Sequence, residues 1–357
     1  MKRPRDAIAF IGVGGSEIVR RADRGITDFA RDAAIGAIKD AGLSIHDIDG
    51  YVGAPTATAP GAAHLDGADE LWVGSAAKSL EISKLQWAVD LHRGFPTDMA
   101  IAAAHALHSK SCRYVLGVRA LYSFPAARPV RESPAIGARF AVRASAYLAR
   151  AGATRRDLYE VVALARRNAA RNPIAVWRDR LVSFDEYMAA PMIADPLCRF
   201  DCDMPVCAAG AFVMARGADI PAGANQLAWL LGTSGGQRPE LVFDNADVKP
   251  REIQCAQLYD GFSSMLFEFL ESFGFAAADG GWKFVREGSA DREGRLPVNT
   301  FGGSLGEGRL HGMGHVREAI LQVSGRAGPR QLPRAANCLV QVGPFDNSSC
   351  LILGCDP

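Results

Sequence analysis

Residues Ala7-Ile-Ala-Phe-Ile-Gly12-Val-Gly14-Gly15 make a short apolar run that ends in glycines. The run reads as a buried strand closed by a tight turn. Downstream, Phe29, Ala33, Ala34, Ile35, Ala37 and Ile38 recur at helical spacing. With Thr27 suited to the N-cap and Gly42 to the C-terminal stop, they predict an amphipathic helix over 27–41. Asp47-Ile-Asp-Gly-Tyr-Val52 reads as a turn into a second strand. Strand, helix, strand is the pattern of a parallel βαβ unit, which sets the class as α/β.

Outward from this unit, residues 52–85 are rich in Gly, Ala and Thr without periodicity and read as a long loop near the working surface. Asp98–Ser109 reads as an Ala-rich helix and Arg113–Val118 as a strand. Two helical stretches follow at 135–150 and 155–172, then an ordered, Pro-containing connection over 173–205. Ala208–Ala215 and Leu227–Gly232 read as buried strands. The Gly- and Pro-containing segment between them, 216–226, is the best internal boundary, so two halves are expected, 1–220 and 221–357. In the second half, residues 254–273 read as strand then helix and Gly312–Ser324 as a helix. Asn337–Val342 and Ser349–Gly354 read as an antiparallel hairpin.

Composition bounds the function classes. Forty Lys and Arg against thirty-nine Asp and Glu give a net charge of +1 over 357 residues. That balance offers no general attraction to nucleic acid or to an anionic membrane. Hydrophobic residues make up 48% and charged residues 22%, enough for a sizeable core. No apolar run reaches the length of a membrane span. Eight scattered cysteines show no pairing rhythm, so reduced thiols in a cytoplasmic protein are expected.

Common chemical signatures are missing. The Gly12-Val-Gly14-Gly15 turn would need glycine at 17 to bind a dinucleotide, and Glu17 stands there. Cys198, Cys202 and Cys207 lack the second ligand pair of a zinc site, and no metal is expected. No G-x-S-x-G, H-E-x-x-H or phosphate-binding G-x-x-x-x-G-K-[ST] occurs.

Two stretches remain. Leu296–His315 holds six glycines between 302 and 314, with Asn299, Arg309, His311 and His315. Glycines at a helix start let backbone N–H groups approach a developing oxyanion. The competing reading is a glycine-rich turn with solvated histidines. Tyr259 and Asp260 sit at a strand-to-helix turn that can face a cleft, or else Tyr259 is a core residue with a bonded hydroxyl.

Taken together, Ala7–Gly14, Ala41–Gly50, Met192–Cys202, Ala208–Met214, Leu258–Phe262, Pro297–Gly303 and Gly308–His315 resemble the thiolase superfamily along almost the whole chain. The resemblance is to its sterol-carrier and lipid-transfer-protein branch, which includes acyl-CoA retro-aldolases. It implies two similar halves, each with a mixed five-stranded sheet, stacked in α-β-α-β-α layers and dimeric. The departures are informative. Val89–Ala100, where the family carries its nucleophilic cysteine at a helix N-terminus, has none, and Cys112 comes only after the helix. The C-terminal Cys-Gly motif is replaced by Gly343–Ser349.

The retro-aldolase branch accommodates these losses. The resemblance then implies cleavage of a β-hydroxyacyl-CoA carrying a steroid or other bulky side chain. Tyr259 would be the base or proton shuttle, its pKa lowered by cations such as Arg309. His311 or His315, with backbone N–H groups near Gly302 and Gly303, would hold the enolate oxygen. Asp260, Asn299 and Arg309 would contact substrate. Coenzyme A would enter only as part of the substrate, and no other cofactor is expected. A second tyrosine of that branch corresponds to Phe345 here. A small OB-fold/zinc-ribbon partner is expected to accompany the chain. Two other functions stay open: a non-catalytic acyl-CoA-binding or scaffold protein, and a thiolase using an unaligned cysteine.

Overall fold

A computed structural model describes residues 5–55, 70–122, 134–224, 226–236, 238–344 and 348–357. Phe345 lies outside the described residues. In the first part of the chain the elements are β1 (Ile8–Gly15), α1 (Ile26–Asp40), β2 (Gly50–Gly53), α2 (Val73–Leu80), β3 (Trp87–Asp90), α3 (Pro96–His108) and β4 (Tyr114–Leu121). Then come α4 (Pro134–Ala151), α5 (Arg155–Ala169), α6 (Phe184–Met188), β5 (Met192–Ala194), β6 (Leu197–Cys198) and β7 (Ala208–Arg216). The rest is β8 (Ala228–Gly236), α7 (Leu241–Ala246), β9 (Cys255–Leu258), α8 (Met265–Ser272), α9 (Gly281–Arg286), α10 (Gly303–Glu307), α11 (Met313–Val323), β10 (Asn337–Val342) and β11 (Ser348–Gly354).

The main sheet runs β3-β2-β4-β7-β1-β8-β11-β10-β9. Among the described residues, its two parts pair where Ala9 and Phe10 of β1 face Trp229 and Ala228 of β8. The parts repeat one plan. β2 is parallel to β4, and β7 is antiparallel to both β4 and β1. Likewise β9 is parallel to β10, and β11 is antiparallel to both β10 and β8. Beyond β2 the first part adds the edge strand β3. Beyond β9 the second part has, among the described residues, a single parallel bridge between Ala256 and Val298. The fifth strand expected of the second half is therefore reduced to one residue pair.

Alternation along buried strands builds the layers. In β7, Ala208, Phe212 and Met214 face a central core, while Ala209, Ala211, Val213 and Ala215 face an outer one. The central core holds α3 and α11, and both helices touch strands of both sheet parts. On one outside, α1 covers the first part through Phe29, Ala33, Ala34 and Ala37. On the other, α7, α8 and α5 cover the second part through Val242, Leu266 and Leu158. The result is α-β-α-β-α stacking of two similar halves.

Local readings shift at their edges. Gly25, not Thr27, stands at the N-cap of α1, because the Asp28 carboxylate accepts the Gly25 N–H at 3.1 Å. The 52–85 loop hides α2, and the apparent helix from Tyr259 begins only at Met265. Among the described residues no helix is long and apolar enough to cross a membrane.

Candidate active site

A cavity of about 310 Å³ opens where the N-terminal ends of α3 and α11 meet the loop after β9. Its size lies within the range of small-molecule pockets. Phe95, Phe140, Phe262, Met265 and Pro344 give it an apolar wall. Phe140 stacks on Phe262 with centroids 4.3 Å apart. Asp203, Tyr259, Arg309 and His311 supply its polar groups.

Tyr259 leaves β9 with its N–H donated to both the backbone and side-chain oxygens of Gln341, each at 3.1 Å. Its ring packs beside Phe95 and His315. Gly261 leaves space for it, since a Cβ there would sit 3.0 Å from the phenol oxygen. Burial and the negative charge of Asp203 push the Tyr259 hydroxyl above its ordinary pKa; Arg309 and Arg119 pull it down without prevailing. The phenol is thus protonated at neutral pH, opposite to the lowering expected from sequence.

His311 adopts a left-handed backbone, with φ 46°. Arg119, 3% exposed at the end of β4, donates from Nη2 to His311 Nδ1 at 2.7 Å. An arginine only donates, so Nδ1 is the acceptor and the proton of the neutral ring sits on Nε2. Burial, then the charges of Arg119 and Arg309, hold His311 well below its ordinary pKa. His311 is therefore a neutral N–H donor at the cavity. Arg119 is itself pushed down to about 10 by burial, still a cation at neutral pH.

The other residues singled out in the sequence lie behind the cavity. His315 is 1% exposed and donates from Nε2 to Leu258 O and Asp260 Oδ1, both at 3.1 Å. Asp260 turns away from the pocket: its Oδ1 accepts the Ser304 N–H at 2.7 Å at the start of α10. Gly303, with φ 63°, is required there because a Cβ would lie 1.9 Å from Asp260 Oδ2. Asn299 splints the end of β9, accepting the Leu258 N–H and donating to the Leu258 carbonyl, each at 2.8 Å. The Gly302 N–H is donated to the Asn299 carbonyl at 2.8 Å, so it is not aimed at an enolate. Of the residues named from sequence, the cavity gathers Tyr259, His311 and Arg309, while His315, Asp260, Asn299, Gly302 and Gly303 hold the loops that present them.

No cysteine lines the cavity among the described residues. Phe95 occupies the N-cap of α3, where the family resemblance places a nucleophilic thiol. Cys112 is buried beyond the far end of that helix, and burial beside Asp49 pushes its thiol up to about 12. No group of three or more His, Cys, Asp or Glu suited to a metal occurs among the described residues.

Residues 232–355 match the thiolase C-terminal domain-like family. The paired sheet parts around two central helices extend the same architecture over the first half. The chain has a thiolase-like fold and is similar to proteins of the thiolase superfamily. It is 29% identical to a steroid side-chain-cleaving aldolase of Thermomonospora curvata, over 98% of both chains. It is 28% identical to the 17-hydroxy-3-oxo-4-pregnene-20-carboxyl-CoA lyase of Mycobacterium tuberculosis, over 97% of this chain and 98% of the lyase. The solved Ltp2–ChsH2(DUF35) aldolase superposes with a TM-score of 0.86 at 26% identity, over 99% of this chain and 98% of that one. This chain thus aligns over nearly its whole length with proteins named as an aldolase and a lyase.

Sequence reasoning missed Asp203 and Arg119. Asp203 stands near the end of the Pro-containing connection 173–205, in no recognisable motif. Arg119 did carry a signal: it is a lone charge within the otherwise apolar strand Tyr114–Leu121.

Proposed function

We propose that the protein is a carbon–carbon lyase that cleaves a β-hydroxyacyl-CoA by a retro-aldol reaction. The observation that carries this reading is the cavity's polar set. It offers a protonated phenol and a neutral imidazole N–H, with no nucleophilic thiol. Thiolase chemistry needs an acyl-cysteine. Retro-aldol cleavage needs only a base for the β-hydroxyl, a donor for the enolate oxygen and an acid for the enolate carbon.

The residues divide these tasks. His311 Nε2–H holds the thioester oxygen as it becomes an enolate, beside the positive ends of the α3 and α11 dipoles. Tyr259 delivers its proton to Cα. The name of the mycobacterial lyase places a hydroxyl on carbon 17, which is β to the thioester borne on carbon 20. The apolar wall of Phe95, Phe140, Phe262 and Met265 suits a bulky hydrocarbon of that kind at the β-carbon. Coenzyme A enters as part of the substrate. The solved aldolase carries a second component in its name, and this chain is proposed to work with a small OB-fold/zinc-ribbon protein and as a homodimer.

Purified protein, alone and with a candidate partner encoded nearby, is expected to release a ketone and a shortened acyl-CoA from β-hydroxyacyl-CoA substrates with bulky side chains. Acyl-CoA binding without product across such a panel selects a non-catalytic protein instead. A thiol test separates the lyase from a thiolase. Cys355 is the exposed cysteine, so iodoacetamide should modify it first and leave cleavage within about twofold. Inactivation that tracks alkylation of a different cysteine would restore the acyl-enzyme route.

A further inference from the structure

We propose that Asp203 is the general base that removes the β-hydroxyl proton in this reaction. The inference rests on the retro-aldol reading and adds the acceptor which that reading leaves unassigned.

Asp203 is 6% exposed and lines the cavity beside Tyr259 and Arg309. Its backbone is pinned from both walls of the pocket. The Asp203 N–H donates to Gly261 O at 3.1 Å, two residues after Tyr259. The Arg309 N–H donates to Met204 O at 2.8 Å, two residues before His311. Pro205 and Arg309 form an isolated parallel bridge. The carboxylate is thus placed by backbone bonds to the two loops that carry the other polar groups. Arg309 Nη1 lies 3.6 Å from Asp203 Oδ1, within ion-pair range.

Among the described residues lining the cavity, the charged and titratable groups beside this carboxylate are Arg309, Tyr259 and His311, with Arg119 behind His311. None of the other three lining groups can accept a proton. Arg309 has no acceptor. The Nδ1 of His311 is taken by Arg119, so its outer nitrogen donates. Tyr259 keeps its proton at neutral pH. Among the described lining residues, the Asp203 carboxylate is what remains.

The step balances without an oxidant. An Asp203 oxygen takes the β-hydroxyl proton, and the freed O–H electron pair forms the ketone. The Cα–Cβ pair moves into the thioester enolate, held by His311. The Tyr259 O–H then protonates Cα, and the proton on Asp203 returns to the Tyr259 phenolate, directly or through one water. One proton has moved from oxygen to carbon, and the enzyme is regenerated.

The test compares wild type, Asp203→Asn and Asp203→Ala. With either variant, kcat should fall by ~10²–10⁴. Affinity for a substrate analogue lacking the β-hydroxyl should stay within about threefold, which shows an intact pocket. Formate, a small carboxylate able to enter the space left in Asp203→Ala, should restore at least about tenfold in rate in a concentration-dependent way. A structural role would not respond to formate. Cleavage by Asp203→Asn within about threefold of wild type overturns the assignment. So does formate failing to raise the rate of an Asp203→Ala protein that binds the analogue normally. Should Asp203→Ala lose analogue binding, Asp203→Glu decides: cleavage above that of Asp203→Asn supports the base, and no gain overturns it. Wild type that cleaves no β-hydroxyacyl-CoA refutes the lyase reading itself, a result distinct from failure of the variants alone.

Discussion

Tyr259→Phe is expected to lower kcat for carbon–carbon cleavage by ~10²–10⁴ and to leave KM within about threefold. The change removes one oxygen and little else. The ring keeps its contacts with Phe95 and His315, and the backbone N–H keeps its Gln341 acceptors. What is lost is the acid that quenches the enolate. The direction of the pKa shift matters to this role. Had cations lowered it, Tyr259 would be a phenolate suited to take the hydroxyl proton. Burial and Asp203 outweigh Arg309 and Arg119, so Tyr259 holds its proton until the enolate forms. Steady-state kinetics with a β-hydroxyacyl-CoA, followed as acyl-CoA product, reads the effect. A phenylalanine variant that turns over like wild type would remove Tyr259 from the chemistry.

Local rules made the strands and long helices legible. The alternation in Ala208–Arg216 and the 3.6-residue period of α1 each follow from one buried face. β3 did not show, because Trp87-Ala-Val-Asp is a four-residue edge strand with no fully buried position. α10 did not show either, since Gly-Ser-Leu-Gly-Glu lacks helix propensity and is held by Asp260 at its start. The glycines that suggested an oxyanion pocket serve close packing instead: a Cβ on Gly302 would lie 2.8 Å from Ala169 Cβ. Tyr259 and His311 were recognisable as residue types in local motifs. Asp203 was not, and Arg119 showed only as a charge in an apolar strand, because their roles come from topology. β4, the segment before β7, the end of β9 and the turn before α11 converge only when the two halves pack. Such convergence has no signature at any spacing along the chain.

The support beneath that turn gives the second large effect, Arg317→Met, which should destabilise the fold by about 3–5 kcal/mol. Arg317 on α11 donates to Glu307 at the end of α10, with side-chain exposures of 7% and 0%. Glu307 Oε2 also accepts from Asn172 Nδ2 at 2.7 Å. Burial raises the Glu307 carboxyl above its ordinary value, and Arg317 is the largest influence pulling it back. Methionine fills much of the arginine's volume but leaves the buried carboxylate only Asn172 and the weaker pull of Arg330. The pH dependence follows from the sign of that shift. A carboxyl whose folded-state pKa lies above its unfolded value loses stability as pH rises through the folded value. Without Arg317 that pKa climbs further, so the deficit against wild type should be larger at pH 8 than at about pH 5.5, because protonating Glu307 on folding becomes easier as pH falls. Arg317→Met combined with Glu307→Leu should recover most of the loss, because an apolar pair removes the stranded charge. Chemical denaturation of the three proteins at both pH values decides the matter. A deficit independent of pH, or a double variant less stable than Arg317→Met, would show that the pair's charges are not what joins α10 to α11. In that case the placement of His311, two residues before α11, would have to rest on the apolar contacts of Leu310 and Met313 with the central core.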